Sequence, residues 1–176
     1  MAGFTVGNTN IFTSNTFSGT FNGFTSTNQL VFEDAGSHFQ GSVSGYSSGG
    51  LAPQPAGNYS DRIDKFPFTS DTNATDVGNL SDGRSEVSGS SSSTHGYTVG
   101  GEVYGGGSPS NSNIIDKFPL TTPFVTASDV GDLDATSKRR SGQSSTTHGY
   151  SCGGAPNPVV GDKIDKFSFA VDTNAT

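Results

Sequence analysis

The sequence repeats itself, and this repetition constrains the fold more than any single motif does. The tetrapeptide Ile-Asp-Lys-Phe occurs at 63–66, 115–118 and 164–167, at spacings of 52 and 49 residues. A second signature, Gly-Tyr-x-x-Gly-Gly, begins at residues 45, 96 and 149, and a third, Ala-x-Asp-Val-Gly-x-Leu, begins at 74 and 127. Periods of about 40–50 residues are typical of propeller blades or solenoid coils, whose units are too small to bury their own faces.

The elements within each unit are predicted to be strands. Tyr97 and Val99 lie two residues apart, so they share one face of an extended chain. Pro67 excludes a helix interior around it, and the Phe residues on either side of it also share a face. Ile63 breaks this alternation, which indicates either a β-bulge or a strand buried on both faces. We expect four short strands per unit and almost no helix, with small residues allowing neighbouring sheets to approach closely.

Composition narrows the class of protein. The net charge is −7, which excludes a nucleic-acid binder that relies on a basic surface. With 25 Gly and 30% hydrophobic residues the chain lacks a thick aliphatic core, while its 13 Phe and five Tyr argue against disorder. Cys152 is the single cysteine, so no intramolecular disulfide or cysteine metal cage is possible. No run approaches 18 apolar residues, so no membrane span is predicted.

The domain organisation follows the repeats. Residues 1–40 do not share the pattern, and residues 41–176 divide into units at about 41–88, 89–141 and 142–176. The third copy reaches Asn174-Ala175-Thr176, the point at which the first copy continues with Asp-Val-Gly. Propellers usually need four to eight blades. We therefore expect the blades to be completed by another segment or by a second chain.

The repeat words also resemble those of a known family. The Gly-Gly doublet that closes one strand, the short variable loop after it and the aromatic strand that follows resemble a kelch-type blade, with Phe in place of the usual Trp. The words Ile-Asp-Lys-Phe-Pro-Phe, Asn-Ala-Thr-Asp-Val-Gly-Asn-Leu and Ser-Ser-Thr-Thr-His-Gly-Tyr resemble repeat proteins encoded by marine bacteriophages, especially cyanophages. The resemblance covers about residues 40–176. It implies a kelch-like β-propeller and a virion protein.

Candidate binding residues are expected where the copies differ. Residues that recur in every unit are most simply explained by the unit's own fold, whereas a specific site should use the loops that vary. Those loops are 51–62, 102–113 and 155–163. The candidate binding residues on them are Tyr59, Tyr104, Asn113 and Asn157. The alternative for these residues is ordinary turn chemistry.

Residues 1–40 are interpreted as a docking or oligomerising segment. They hold seven of the 13 Phe and no Lys or Arg, and exposed Phe side chains would form an apolar patch that marks an interaction site. The candidate docking residues are Phe4, Phe12, Phe17, Phe21, Phe24 and Phe32. The alternative is a segment that only caps the first unit, as terminal repeats often require.

Other chemical motifs are given structural interpretations. His95 and His148 occupy equivalent positions, so a shared structural hydrogen bond is simpler than catalysis. The Asp and Asn residues at 71–76 fit an Asx-type turn better than a calcium loop. Cys152 is interpreted as a small residue within a strand, and the basic run 138–140 as a solvated turn. No nucleotide loop, metal motif or nucleophile elbow is present, so no cofactor, metal or enzyme activity is predicted.

These features predict a non-enzymatic bacteriophage structural protein, in a head or tail appendage or fibre. Its expected location is the virion, or alternatively the extracellular space or cell surface. Its expected partners are other virion proteins, further copies of itself, and a host-surface glycan or protein. The alternative function is a bacterial carbohydrate- or protein-binding propeller module. An oxidase of the galactose-oxidase type on a similar fold is a third hypothesis, for which the sequence offers no ligand cluster.

Overall fold

A computed structural model describes residues 43–51, 59–105, 107–121, 125–155 and 161–176. All of these residues belong to the second of the two units into which the chain divides, Gly36–Thr176. In these ranges the protein is built from strands and contains no helix, which confirms the all-β prediction. The described ranges likewise contain no helix long and apolar enough to cross a membrane.

The strands are β1 (Ser44–Ser48), β2 (Arg62–Pro67), β3 (Thr75–Asn79), β4 (Arg84–Ser85), β5 (Ser88–Ser91), β6 (His95–Val99), β7 (Glu102–Gly105), β8 (Ser108–Asn111), β9 (Ile114–Pro119), β10 (Val125–Thr126), β11 (Ser128–Asp132), β12 (Ser141–Ser144), β13 (His148–Cys152) and β14 (Ile164–Ser168).

Three of the four sheets follow the three repeat units. The first sheet has the order β1-β2-β3-β10, the second β11-β9-β6-β5 and the third β12-β13-β14, and a small sheet has the order β4-β7-β8. All pairs are antiparallel except β10 with β3. The second sheet contains the four strands predicted for a unit. Phe66 of the first sheet and Ile164 of the third are 37% and 63% exposed, so the described sheets do not close into a ring by packing the first on the third.

The Ile-Asp-Lys-Phe strands β2, β9 and β14 occupy equivalent places and present two different faces. The Asp and Phe side chains lie on one face, called here the Phe face, and the Ile and Lys side chains lie on the other, called here the Ile face. In β9, Ile115, Asp116 and Phe118 are all buried, so this strand is buried on both faces. The β2–β3 register shifts between Ile63 and Asp64, but the extra residue, Val77, lies in β3. Burial on both faces, rather than a bulge in the Ile-Asp-Lys-Phe strand, therefore explains the broken alternation.

The three sheets stack in series through these faces. The Ile face of the first sheet packs on the Phe face of the second, where Tyr46 and Phe118 have ring centroids 5.9 Å apart. The Ile face of the second sheet packs in the same way on the third, where Tyr97 and Phe167 lie 5.4 Å apart. The two resulting apolar clusters are Ile63, Leu80, Phe118 and Ala127, and Tyr97, Val99, Ile115, Leu133, Phe167 and Ala175.

Small residues set the spacing between sheets, as predicted. A Cβ on Gly142 would lie 1.9 Å from the carbonyl oxygen of Gly89, so neither backbone could keep its place beside a larger residue. Within the second sheet, Gly96 lies under the ring of its neighbour Phe118, whose Cζ would be 2.4 Å from an added Cβ. Close backbone approach is one of the situations that require glycine.

The Asp-Val-Gly words form the expected Asx turns. The amide of Gly78 donates to Oδ1 of Asp76 at 3.3 Å, and the amide of Gly131 donates to Oδ1 of Asp129 at 3.2 Å. Both turns lie within strands β3 and β11 at the register shifts, rather than before a strand. The same local hydrogen bond forms in both copies, as expected for an Asx turn.

Candidate functional site

A buried ion pair joins the first repeat unit to the second sheet. Arg84 donates through Nη2 to Oδ2 of Asp116, and both side chains are fully buried. Its Nη1 also donates to the carbonyl oxygens of Gly100 and Ile114, each at 3.0 Å. Burial lowers the pKa of Arg84, an effect that the neighbouring charge of Asp116 opposes. This arginine therefore binds one carboxylate and two carbonyls of the neighbouring unit.

The next junction repeats this arrangement. Arg140 donates through Nη1 to Oδ2 of Asp165 and to the carbonyl oxygen of Ser151 at 3.3 Å, in a buried environment. In the first copy the equivalent carboxylate, Asp64, is one-third exposed and pairs with Arg62 of its own strand at 2.8 Å. The sequence analysis missed these inter-sheet pairs (Arg84–Asp116 and Arg140–Asp165). The signal was a carboxylate that recurs on the face of the strand that it shares with a buried Phe.

The interpretation of the basic run 138–140 as a solvated turn is wrong for Arg140, whereas Arg139 is 64% exposed. Arg140 is 8% exposed and paired as described above. Lys138 pairs with Glu102 and with Glu86, and Arg139 pairs with Glu86 at 2.8 Å. Each of the three cations in this run pairs with a carboxylate from another segment of the fold.

Two of the predicted binding residues meet at one end of the sheets. Tyr59 and Tyr104 come from the variable loops of different copies, and their ring centroids lie 6.0 Å apart in an edge-to-face arrangement. The hydroxyl of Tyr59 donates to Oε1 of Glu102, while Tyr104 is 44% exposed. Its hydroxyl donates to the carbonyl oxygen of Gly107 at 3.3 Å. Edge-to-face packing of this kind is a favourable aromatic geometry.

A network of ion pairs adjoins Tyr59 through Glu102 and completes what we call the loop-end cluster. Its members are Tyr59, Glu86, Glu102, Tyr104, Lys138 and Arg139. The hydrogen bond to Glu102 raises the pKa of Tyr59. Lys138 lowers the pKa of Glu102, and Arg139 lowers that of Glu86, because each cation favours the ionised carboxylate. The carboxylates in turn raise the pKa values of Lys138 and Arg139.

The backbone positions two members of the loop-end cluster by a rare conformation. Glu86 and Arg139 occupy equivalent places in the links that follow the first and second sheets, and both have positive φ, at 55° and 60°. The amide of Arg139 donates to the carbonyl oxygen of Glu86 at 2.9 Å. Residues other than glycine adopt this conformation at a cost that surrounding contacts must offset. The backbone and side-chain bonds between the two residues supply such contacts.

The other predicted site residues lie elsewhere. Asn113 is part of the framework, since its carbonyl oxygen accepts from the amide of Leu133 at 2.7 Å. Asn157 and the Phe residues of segment 1–40 lie outside the described residues. Cys152 lies at the end of β13 and pairs in register with Ile164, the place expected for a small residue within a strand.

The two histidines make the same local contact. Nδ1 of His95 lies 2.9 Å from the hydroxyl of Thr94, and Nδ1 of His148 lies 2.8 Å from that of Thr147. Burial lowers the pKa of His95. A contact that recurs in both copies is the shared structural hydrogen bond that the sequence predicts.

The loop-end cluster has the chemistry of recognition. An exposed aromatic ring, two carboxylates and two cations can stack against and hydrogen-bond a polar ligand. The described ranges contain no group of three or more His, Cys, Asp or Glu side chains placed to hold a metal ion. In the loop-end cluster, Glu86 and Glu102 are each paired with a cation from elsewhere in the chain.

Comparisons with known proteins give a likeness of fold. No protein-family model matches the chain, and no curated protein matches it. Seventy chains of solved structures do match. One of them, described as "Structure of YjhT", has a TM-score of 0.62 and 14% sequence identity, over 78% of this chain and 43% of that chain. The protein described here thus spans less than half the length of this neighbour and shares its fold over the matched part.

Proposed function

We propose that the three repeat units are blades of a kelch-like β-propeller and that the chain is a non-enzymatic structural protein of a bacteriophage particle, part of a head or tail appendage. Three sheets that follow the repeats and stack in series support the blade assignment. The resemblance of the repeat words to those of marine phage proteins supports the location in the virion. A solved chain more than twice as long as the matched stretch adopts a similar fold, which fits an assembly of more than three sheets.

One observation carries the structural role. Side chains that recur between copies join each sheet to its neighbour: Asp116 and Asp165 each receive an arginine from the preceding unit, and the Phe two residues after each Asp packs against the preceding sheet. Because the recurring residues serve the stacking of sheets, they are unavailable for chemistry on a substrate. A repetitive scaffold of this kind is suited to an appendage.

The experiment is a search for the chain in purified particles. Phage particles from the source culture are banded on a density gradient, washed at high salt and digested for mass spectrometry. We expect peptides from all three repeat units to co-migrate with the major particle proteins in a fixed ratio, whereas an abundant host protein measured in the same fractions washes away. Peptides confined to the soluble fraction of the lysate would refute the virion assignment.

A binding module is the second candidate, and the loop-end cluster favours it. Tyr59 and Tyr104 are brought together although they belong to loops whose sequences differ between the first and second copies. Titration of the protein with host-surface glycans, followed by NMR, tests this function. Tyr104→Ala should abolish binding, while Phe68→Ala, which removes an exposed ring outside the cluster, should leave it unchanged. Equal binding by both variants would exclude the cluster as the site.

A further inference from the structure

The two ends of the sheet stack expose the same faces that are buried inside it. Phe66 and Phe68, on the Phe face of the first sheet, are 37% and 52% exposed, whereas the counterparts of Phe66 in the other sheets, Phe118 and Phe167, are 5% and 3% exposed. On the Ile face of the third sheet, Ile164 is 63% exposed, and its counterparts in the first two sheets are 1% exposed. One exposed face is therefore the natural complement of the other.

The aromatic groups on the first sheet already have the geometry of an occupied interface. Phe66 and Phe68 lie 5.8 Å apart at an interplanar angle of 77°, and their counterparts in the third sheet, Phe167 and Phe169, lie 5.9 Å apart at the same angle. Tyr97 of the second sheet packs against both members of that latter pair, at 5.4 and 4.9 Å. The counterpart of Tyr97 on the exposed Ile face is Tyr150.

The charges on the two faces are complementary as well. Within the chain, Lys117 on the Ile face of the second sheet pairs with Asp172 of the third unit at 2.8 Å. The counterpart of Lys117 is Lys166, and the counterpart of Asp172 is Asp71, in the same Asp-Thr-Asn-Ala-Thr word. Both of these side chains are exposed. A neighbouring copy of the chain would bring them together.

The carboxylate of the first sheet is compatible with such a neighbour. At the internal junctions this Asp receives an arginine from the preceding unit. Residues 1–61 contain no Lys or Arg, so none of these residues can donate to Asp64 as the two arginines do at the internal junctions. Arg62 of the same strand instead pairs with Asp64. A partner that docks here therefore does not need to bring an arginine.

We propose that the Phe face of the first sheet binds the Ile face of the third sheet of a second copy, head to tail. The contact reproduces the internal junction between the second and third sheets, with Tyr150 against Phe66 and Phe68 and Lys166 against Asp71. Contacts of this heterologous kind close into a ring or continue as an open series, depending on the rotation between copies. The proposal rests on the stacking of the sheets and does not require the virion assignment.

Disulfide trapping tests the contact directly, because Cys152 lies on the docking face. At the first internal junction Ser48 Oγ and Thr98 Oγ1 are 2.6 Å apart, and the counterparts of these two residues across the proposed contact are Cys152 and Ser47. Ser47→Cys should therefore form a disulfide between copies under mild oxidation. The same bond cannot form within one chain, because two sheet spacings of about 10 Å each separate the positions.

The experiment mixes light- and heavy-isotope copies of the full chain and analyses the disulfide-linked peptides by mass spectrometry. We expect mixed-isotope peptides that join the introduced thiol to Cys152 in the Ser47→Cys protein. The matched control Ser108→Cys places a thiol on an exposed strand of the small sheet and should give little linkage to Cys152. Equal linkage in the two variants, or none in Ser47→Cys, would overturn the proposal.

A charge exchange followed by sedimentation supplies an independent test. Lys166→Glu and Asp71→Lys should each weaken self-association about five- to tenfold, and the double variant should restore it, because each single change places like charges together. Circular dichroism checks that all three remain folded. If segment 1–42 of the same chain covered the Phe face of the first sheet instead of a second copy, the protein would stay monomeric at every concentration. That result would overturn the proposal and leave the measurement on particles unaffected.

Discussion

Ion pairs occur in two regions of the molecule that differ in burial and in repetition. The inter-sheet pair Arg84–Asp116 is fully buried, and a similar pair follows at the next junction. The loop-end cluster also pairs carboxylates with cations, but its charged side chains are only partly buried, from 12% exposed at Glu102 to 64% at Arg139, and the residues differ from copy to copy. We therefore expect the fully buried pairs to make the stacking of sheets sensitive to single changes and the partly exposed cluster to contribute less.

The largest expected effect comes from leaving a buried charge without its partner. Asp116→Asn should lower the free energy of unfolding by about 3–5 kcal/mol, because the guanidinium of Arg84 then lies uncompensated in the interior. Denaturant unfolding measures the change. The matched control is Asp64→Asn, the same residue of the same word in the first copy, whose partly exposed pair should be worth at most about 1 kcal/mol. Equal losses of unfolding free energy in the two variants would contradict the expectation that the buried pair contributes more than the partly exposed one.

The close approach of neighbouring sheets also belongs to the buried part of the stack. We expect the free energy of unfolding to be nearly as sensitive to a substitution there. Gly142→Ala should cost about 1–3 kcal/mol, since the new Cβ collides with the backbone of Gly89. Gly105→Ala, where an added Cβ meets nothing within 4 Å, should change the stability by no more than about 0.5 kcal/mol. Thermal unfolding of both variants measures this, and similar losses would contradict the close packing.

The loop-end cluster should make a small contribution that depends on pH. Its carboxylates have lowered pKa values, so their stabilisation is present above the ordinary value near 4.5 and is lost as the pH falls through the lowered values. Glu102→Gln should therefore cost about 0.2–1 kcal/mol at pH 7 and nothing near pH 2. Urea unfolding across this range measures both, and a difference that grows at low pH would have the wrong sign.

The smallest effect is spectroscopic. The hydrogen bond to Glu102 raises the pKa of Tyr59, so Glu102→Gln should move the titration of this phenol to lower pH. Difference absorbance of tyrosinate reports the midpoint, and Tyr59→Phe identifies which component of the curve belongs to Tyr59. A midpoint unchanged by Glu102→Gln would show that the two side chains do not interact in solution.

The repeat pattern was sufficient to predict the all-β fold, but not four strands in every unit: the third sheet has three, and the fourth strand of the first sheet, β10, comes from the second unit. Two-residue alternation placed Tyr97 and Val99 on one face, and both are buried in the same cluster. Variation between copies also singled out Tyr59 and Tyr104, which do meet. These predictions succeeded because alternation and loop variation are properties of local sequence.

The partners of the charged residues could not be predicted, for a physical reason. Arg140 in a run of three basic residues is typical of a solvated turn, and its burial depends on Asp165, which lies 25 positions further along the chain. The two inter-sheet arginines also come from positions that are not equivalent in the repeat, so no shared word marks them. Pairings between distant segments depend on the stacking of the sheets, which a pattern within one unit does not specify.

Double-mutant cycles on one pair from each region test the central claim that the buried pairs contribute more to the stacking of the sheets than the loop-end cluster does. The first cycle uses Arg84→Met and Asp116→Leu, and the second uses Lys138→Met and Glu102→Leu. For the buried pair we expect each single variant to lose about 3–5 kcal/mol and the double variant to regain most of it, whereas coupling at the loop end should be about 1 kcal/mol or less. Equal, small coupling energies in the two cycles would contradict the account.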